Sequence, residues 1–470
     1  VTETGTSQEA PATAPSEGPR RGGDVWTAVL AALFVTGVAV IGWILEYDGE
    51  GMNGDLHVDW PPLYADWLPH AGPGTPAAVA VAVAVVAYGP SVAARLPWRW
   101  LTVVTWLTAM AWTWSLALID GWQRGVANRL TSEHEYLNDI DRFTDIGATL
   151  ETFTQHILMA ADNSWEAHVA GHPPGAVLTF VALDRIGLEG GGWAGTWCIT
   201  VASTAAVAIL IAVRALAGAE TARRAAPFVV LAPNAVLAGA SADGYFAAVA
   251  AWGLALLALA ATRTVRAPAA AALAAGLLLG LLVYLSYGLT LMAIPALAIL
   301  VYARTARPLP YVLAAALAVA AAFTLTGFYW WEGYDLLVER YYEGVAENRP
   351  YSYWLWGNLG NAVLMAGLAA VAGVRRAVVR GVAGVRLWLA RADSGARPEA
   401  LGVFIIAMLL AIAAADLSGM SKAETERIWL PFTVWLPAAA ALLPRGDHRY
   451  WLAAQAALAL ALNHLLMTSW

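Results

Sequence analysis

The sequence predicts an all-α polytopic membrane protein of about 13 transmembrane helices, and three observations lead there. Of 470 residues, 59% are hydrophobic and 13% charged, against roughly a quarter charged in a soluble domain. Apolar runs close to the roughly 20 residues that cross a hydrocarbon core recur along the chain. Arginines gather in alternate loops between those runs, the pattern of short cytoplasmic connections.

Residues 1–24, rich in Thr, Ser, Glu, Pro and Gly with no periodic apolar face, read as a disordered cytoplasmic tail, and 25–470 as one transmembrane domain. The first apolar run is long enough to span and no small-residue cleavage pattern follows it, which argues against a cleavable signal. The candidate spans are 26–45, 76–94, 100–119, 194–213, 227–240, 245–261, 269–285, 289–302, 309–326, 354–373, 401–415, 428–443 and 451–466. Several are short, and one or two pairs fit re-entrant hairpins equally.

Arg20 and Arg21 precede the first run and place the N-terminus inside. The following inside loops carry Arg95 and Arg99; Arg214, Arg223 and Arg224; Arg263 and Arg266; Arg304 and Arg307; six arginines from Arg375 to Arg397; and Arg445 and Arg449. An odd number of spans then leaves the C-terminus outside. This parity requires that residues 175–188, interrupted by Asp184 and Arg185, do not cross but lie as a juxtamembrane helix on the outer surface. Four polar outer loops result, at 46–75, 120–193, 329–353 and 416–427, and most of their charge is acidic. Lys422 is the single lysine among 27 basic residues, and Ala, Gly, Val and Leu dominate. That bias suggests a GC-rich bacterial genome and so a bacterial cell membrane.

A net charge of −7 and a pI near 5.6 exclude the basic face that a nucleic-acid partner needs. Cys198 is the only cysteine, which rules out an intrachain disulfide or a thiolate metal cluster. The spacing of the outer carboxylates demands no metal, although such acids are suited to Mg²⁺ or Mn²⁺. No cofactor is required by the sequence.

Chemistry-bearing residues concentrate in two outer motifs. The first runs from Glu133 through Glu135, Tyr136, Asp139 and Asp141 to Trp165-Glu166-Ala167-His168-Val169-Ala170-Gly171-His172-Pro173-Pro174-Gly175. Its double proline stiffens the start of a helix and either caps it with His172 or pins His172 toward a substrate. The second is Ser421-Lys422-Ala423-Glu424-Thr425-Glu426-Arg427-Ile428-Trp429-Leu430, two cations and two acids at the outer end of a span. Cations there break the positive-inside trend, and either an interfacial salt-bridge cluster or a lipid phosphate accounts for them.

The His-Pro-Pro segment after an acidic outer loop, the Leu231-Ala232-Pro233-Asn234 hairpin with Asp243 at the next span, and the Ala275-to-Leu281 helix together resemble the GT-C superfamily of membrane glycosyltransferases. The likeness covers roughly residues 131–302, and the stretch Glu426-Arg427-Ile428-Trp429-Leu430 is similar to one near the C-terminus of some bacterial GT-C-type proteins. The resemblance implies a hexosyl- or pentosyltransferase of the cell envelope that uses a polyprenyl-phosphate-linked sugar donor and a lipid, glycan or protein acceptor at the bilayer. A base in the first large outer loop is implied, and Glu135, Asp139 and Asp141 match it. That loop here follows the third span, so Asp55 and Asp59 in the earlier loop stand as the competing site. A partly desolvated carboxylate is in any case suited to removing the acceptor proton. Lys422, Arg427 and His172 are assigned to the donor phosphate, and Glu424, Glu426, His168 and Tyr136 to substrate contact. No phosphate-cradling glycine loop favours a nucleotide-sugar donor. The alternatives are a transporter or lipid-linked sugar flippase, which calls for ionisable groups near the midplane or internal repeats, and a non-catalytic scaffold.

Overall fold

The computed structural model describes residues 21–47, 54, 56–390 and 399–468, with the side chains of 387–390 left aside. The expected tail over 1–20, Asp55, and Arg391 and Arg397 lie outside the described residues. Helix α1 (Arg21–Tyr47) starts within the expected tail, so Asp24 is helical and buried. Strand β1 (Ala65–Trp67) leads to α2 (Thr75–Arg95) and α3 (Trp98–Ala117). The long 120–189 loop carries only short turns: α4 (Ile146–Glu151), capped by Asp145 on the Ala148 amide at 3.2 Å, α5 (Ala167–Ala170) and α6 (Gly175–Arg185). At 11 residues α6 is too short to cross. Its Ala176, Val177, Phe180 and Val181 are buried, against the 136–142 turn and other helices of the bundle.

The central bundle follows with α7 (Gly190–Ser203), α8 (Ala205–Ala217), α9 (Ala219–Val230), α10 (Ala242–Thr262), α11 (Pro268–Leu285), α12 (Ala293–Ala303) and α13 (Leu309–Leu325). Helix α10 is the axis of the core, and most of its length is buried among α7, α8 and α11. Gly276 and Gly280 let α11 approach α13 until their backbones touch, since a Cβ on either would meet the main chain at Val312 or Ala316. Small residues at that spacing are how helices pack without a hydrophobic driving force in lipid. The chain then forms α14 (Trp330–Glu343), α15 (Tyr351–Ala366), α16 (Leu368–Ala390), α17 (Ala400–Leu417), α18 (Thr425–Ile428), α19 (Leu430–Thr433) and α20 (His448–Leu465). Strand β2 (Leu466–Thr468) pairs antiparallel with β1, a small sheet that an all-α reading did not contain.

The expected count of spans is corrected. Among the described residues seven helices are long and apolar enough to cross a membrane, or up to nine if the bent pairs α13–α14 (74°) and α15–α16 (104°) each count as one. Hydropathy outran helix continuity for definite reasons. Gly327 and Gly367 sit at φ +91° and +86°, a conformation that ends a helix and that glycine adopts freely. Pro233 opens a 3₁₀ turn within the 227–240 run, and Pro431 and Pro437 restart the backbone within 428–443. Each removes a helix hydrogen bond, and the broken stretches of 428–443 are buried in protein, where irregular backbone can exist at membrane depth.

The loops sort to two ends. At the arginine end, Asp24 accepts from Arg376 (2.6 and 2.8 Å) and Arg375 (3.3 Å), Arg223 binds the carbonyls of Ala93 and Leu96, and Arg445 pairs with Glu220. At the acidic end, Arg340 of α14 holds the carbonyls of Ile157 and Trp165. There too the Tyr64 amide donates to Glu426 at 3.0 Å.

Candidate active site at the acidic end

The long loop uses its polar groups internally. Asp139 accepts from Arg142 at 2.9 Å and from the Glu166 amide at 2.8 Å, and the Arg142 guanidinium lies 3.4 Å over the Trp165 ring. This staple sets Glu135 and Tyr136, at the start of the 136–142 turn, against His168 on α5. The Nδ1 of His172 donates to the His168 carbonyl at 2.8 Å. Both histidines flank the buried Tyr136 ring at 5.7 and 5.6 Å.

From the opposite side α18 inserts Arg427. Ala423 and Glu424, just before it, both hold positive φ (72° and 60°), a backbone that non-glycine residues adopt at a cost. The buried Arg427 guanidinium donates to Asp243 at 2.6 Å, to Glu424 at 3.1 Å and to Nε2 of His168 at 3.1 Å. A guanidinium only donates, so Nε2 of His168 accepts and its proton sits on Nδ1. That nitrogen is 3.0 Å from Oε1 of Glu135. Asp243 is held in the first turn of α10, which is capped by Ser241 and presents its positive dipole end. The result is a buried chain, Glu135–His168–Arg427–Asp243, joining the long loop, α18 and α10.

The other oxygen of the Glu135 carboxylate, Oε2, and the Tyr136 hydroxyl are buried without a hydrogen-bond partner among the described residues. Burial works to raise the Glu135 pKa, but His168 and Arg427 outweigh it and hold the group below the usual carboxylate range. Burial and nearby Asp243 and Glu135 push the Tyr136 hydroxyl well up. Burial pushes His172 down to about 4, so its ring is neutral near pH 7. Burial alone would lower Arg427, but Asp243, Glu424 and Glu135 raise it overall. The site therefore combines a charged carboxylate, a neutral imidazole and a permanent cation.

Among the residues singled out from sequence, Glu135, Tyr136, His168, His172, Glu424 and Arg427 are brought together. Asp139 is committed to the Arg142 staple, and Asp141 is exposed. Asp59 is exposed, and burial and the nearby Asp59 carboxylate raise the Asp66 pKa; Asp55 is outside the described residues. Glu426 receives the Tyr64 amide (3.0 Å) and the Asn361 side chain (2.8 Å). Lys422 donates to the Ala346 carbonyl at 2.8 Å and faces the Tyr342 ring. Two members were missed. Asp243 was noted only as part of a hairpin motif, although an acid at a span's start has to find a partner. Arg349, buried and bonded to the carbonyls of Leu56 and Lys422, stands 3.8 Å from Glu424. Among the described residues no group of three or more His, Cys, Asp or Glu side chains is placed to hold a metal ion.

No family model and no curated protein matches the chain. Among solved structures it is similar to the crystal structure of the Archaeoglobus fulgidus oligosaccharyltransferase in complex with Zn and sulfate, at 16% identity and a TM-score of 0.37. The match covers 76% of this chain and 49% of that one, so the chain spans about half the length of the protein it matches.

Proposed function

We propose that this protein is a membrane glycosyltransferase of GT-C type, which moves a hexose or pentose from a polyprenyl-phosphate donor to a lipid, glycan or protein acceptor at the acidic end. The observation that carries the reading is Oε2 of Glu135, a buried, charged carboxylate oxygen with no hydrogen-bond partner among the described residues. A buried acceptor left unsatisfied is costly and is suited to a hydroxyl that arrives with the substrate. The acceptor O–H gives its proton to Oε2 as its oxygen forms the new bond to the anomeric carbon. The bond from that carbon to the donor phosphate oxygen breaks, and polyprenyl phosphate leaves with the electron pair. His168, bridging Glu135 and Arg427, couples the base to the cation that receives the growing phosphate charge. Glu424 is the carboxylate at Arg427 most open to solvent, its side chain 25% exposed against 3% for Asp243. The phosphate enters by taking the place of Glu424, with His172 neutral beside it.

Glu135→Gln keeps the shape and removes the base. Transfer of radiolabelled sugar from a panel of polyprenyl-phosphate sugars in purified membranes is expected to fall about 10²- to 10⁴-fold with the melting temperature in detergent retained. Asp141→Asn and Asp59→Asn are expected to transfer at wild-type rates. Near-normal turnover by Glu135→Gln would remove the base assignment.

A further inference from the structure

Helix α1 leaves most of its circumference exposed and packs on α15 and α16. Between α1 and α15 a groove of about 480 Å³ runs from Leu33 and Phe34 to Leu45, with Tyr353 and Trp356 on its far side. The Phe34 and Trp356 rings meet edge to face at 6.4 Å. Toward the acidic end Gly42 lets α1 touch Tyr353 and Pro61.

The inner wall of this groove is continuous with the cationic loop of the site. Val38 and Tyr353 pack in one buried cluster with Trp354, Leu56, Val58 and Ala423, and Ala423 directly precedes Glu424. Arg349, just before α15, lies 5.9 Å from the Trp354 ring and bonds the Leu56 carbonyl at 3.1 Å. Glu424 is then held between Arg349 and Arg427. A ligand that fits both halves has a long apolar chain and an anionic head. Chains gain nothing from leaving lipid for an equally apolar surface, so selectivity has to come from contact with the aromatic rings and from the head's charge.

We infer that the α1–α15 groove seats the isoprenoid chain of the donor and brings its phosphate to the Arg349–Glu424–Arg427 loop. This rests on the glycosyl-transfer reading for the identity of the chain, while its test reads binding directly. A Cβ at Gly37, in the middle of the groove, meets nothing within 4 Å, so a tryptophan there fills the groove without disturbing the packing behind it.

The full chain in nanodiscs is photolabelled with an isoprenyl phosphate carrying a photoreactive chain, and adducts are expected within 33–45 and 352–356. Undecaprenyl phosphate should compete, and dioleoyl phosphatidylglycerol should not. Gly37→Trp should weaken undecaprenyl phosphate binding by at least about tenfold and leave geranyl phosphate binding unchanged. Leu33→Trp, exposed on the same face, provides a second variant should the first fail to fold. Wild-type affinity for undecaprenyl phosphate in folded groove-filled protein, or equal competition by the phospholipid, overturns the inference. Long-chain binding lost in Gly37→Trp, with no sugar transfer by the wild type, keeps the groove and removes the transferase reading. Normal transfer by Gly37→Trp from an undecaprenyl donor does the reverse.

Discussion

At the residue scale the buried pair of Arg427 and Asp243 separates a structural role from a ligand-binding one. Removing one member leaves the other charge buried and uncompensated, so Asp243→Asn is expected to cost about 3 to 5 kcal/mol, read as a drop in melting temperature in detergent. Asp243→Asn combined with Arg427→Gln should recover much of that stability while sugar transfer stays lost. Recovery of transfer in the pair would leave Arg427 with a structural role only. His172 carries a pH signature of its own. Its folded pKa is about 4 against 6.5 in the reference state, so between those values the unfolded chain binds a proton that the folded chain does not. Stability then rises with pH across that window and is lost as the pH falls from 6.5 toward 4. His172→Gln should flatten the slope of melting temperature over that range, and Glu135, whose pKa is lowered, should act only below the ordinary carboxylate value. Sequence pattern reached Glu135, Tyr136, His168 and Arg427 because each sits in a polar motif within an apolar chain. It did not separate Glu135 from Asp139, since both acids look alike until the Arg142 staple absorbs one of them. Arg349 escaped because nothing local tells a cation bonded to distant carbonyls from an exposed one.

At the scale of elements, α1 is tied to its neighbours near both ends and by Val38 in between. Near the acidic end Gly42 packs against Tyr353, and at the arginine end Asp24 takes a double hydrogen bond from Arg376 of α16. The middle of the helix lies beside the open groove. Asp24→Asn is therefore expected to destabilise the protein by about 3 to 5 kcal/mol, and Asp24→Asn with Arg376→Gln by less, measured as thermal unfolding in detergent. A fully additive loss in the double variant would mean that the two residues act independently. This contact explains an error of boundary: composition assigns Asp24 to a tail, and only its distant partner makes it part of a helix. The breaks at Gly327 and Gly367 were likewise hidden, because a single glycine in an apolar run reads as a tolerated residue until its φ is known. Continuous spans such as α10 and α17 were readable, since no proline interrupts their apolar interiors, and α2 stays helical through Pro90.

For the whole molecule, the parity of the chain connects its charges to the side of the membrane on which chemistry takes place. Several loops that carry arginines in the sequence meet one another at one end, through Arg376 with Asp24 and Arg445 with Glu220, while the long loop, the 56–74 loop and α18 meet at the other. Short basic loops remain on the cytoplasmic side, so the acidic end is expected to face outward, where a lipid-linked donor is available to it. Asn163 is a poor position for testing this because its φ of 53° disfavours cysteine. Glu133, with a side chain 86% exposed at the acidic end, and Arg445, 71% exposed at the other, are better placed. In a background with the buried Cys198 replaced by alanine, Glu133→Cys should react with a membrane-impermeant maleimide in intact cells. Arg445→Cys should react only after permeabilisation. The opposite pattern would put Glu135 and Arg427 in the cytoplasm and remove the outer-leaflet donor from the mechanism, and equal labelling of both in intact cells would mean that the two ends do not lie across a bilayer.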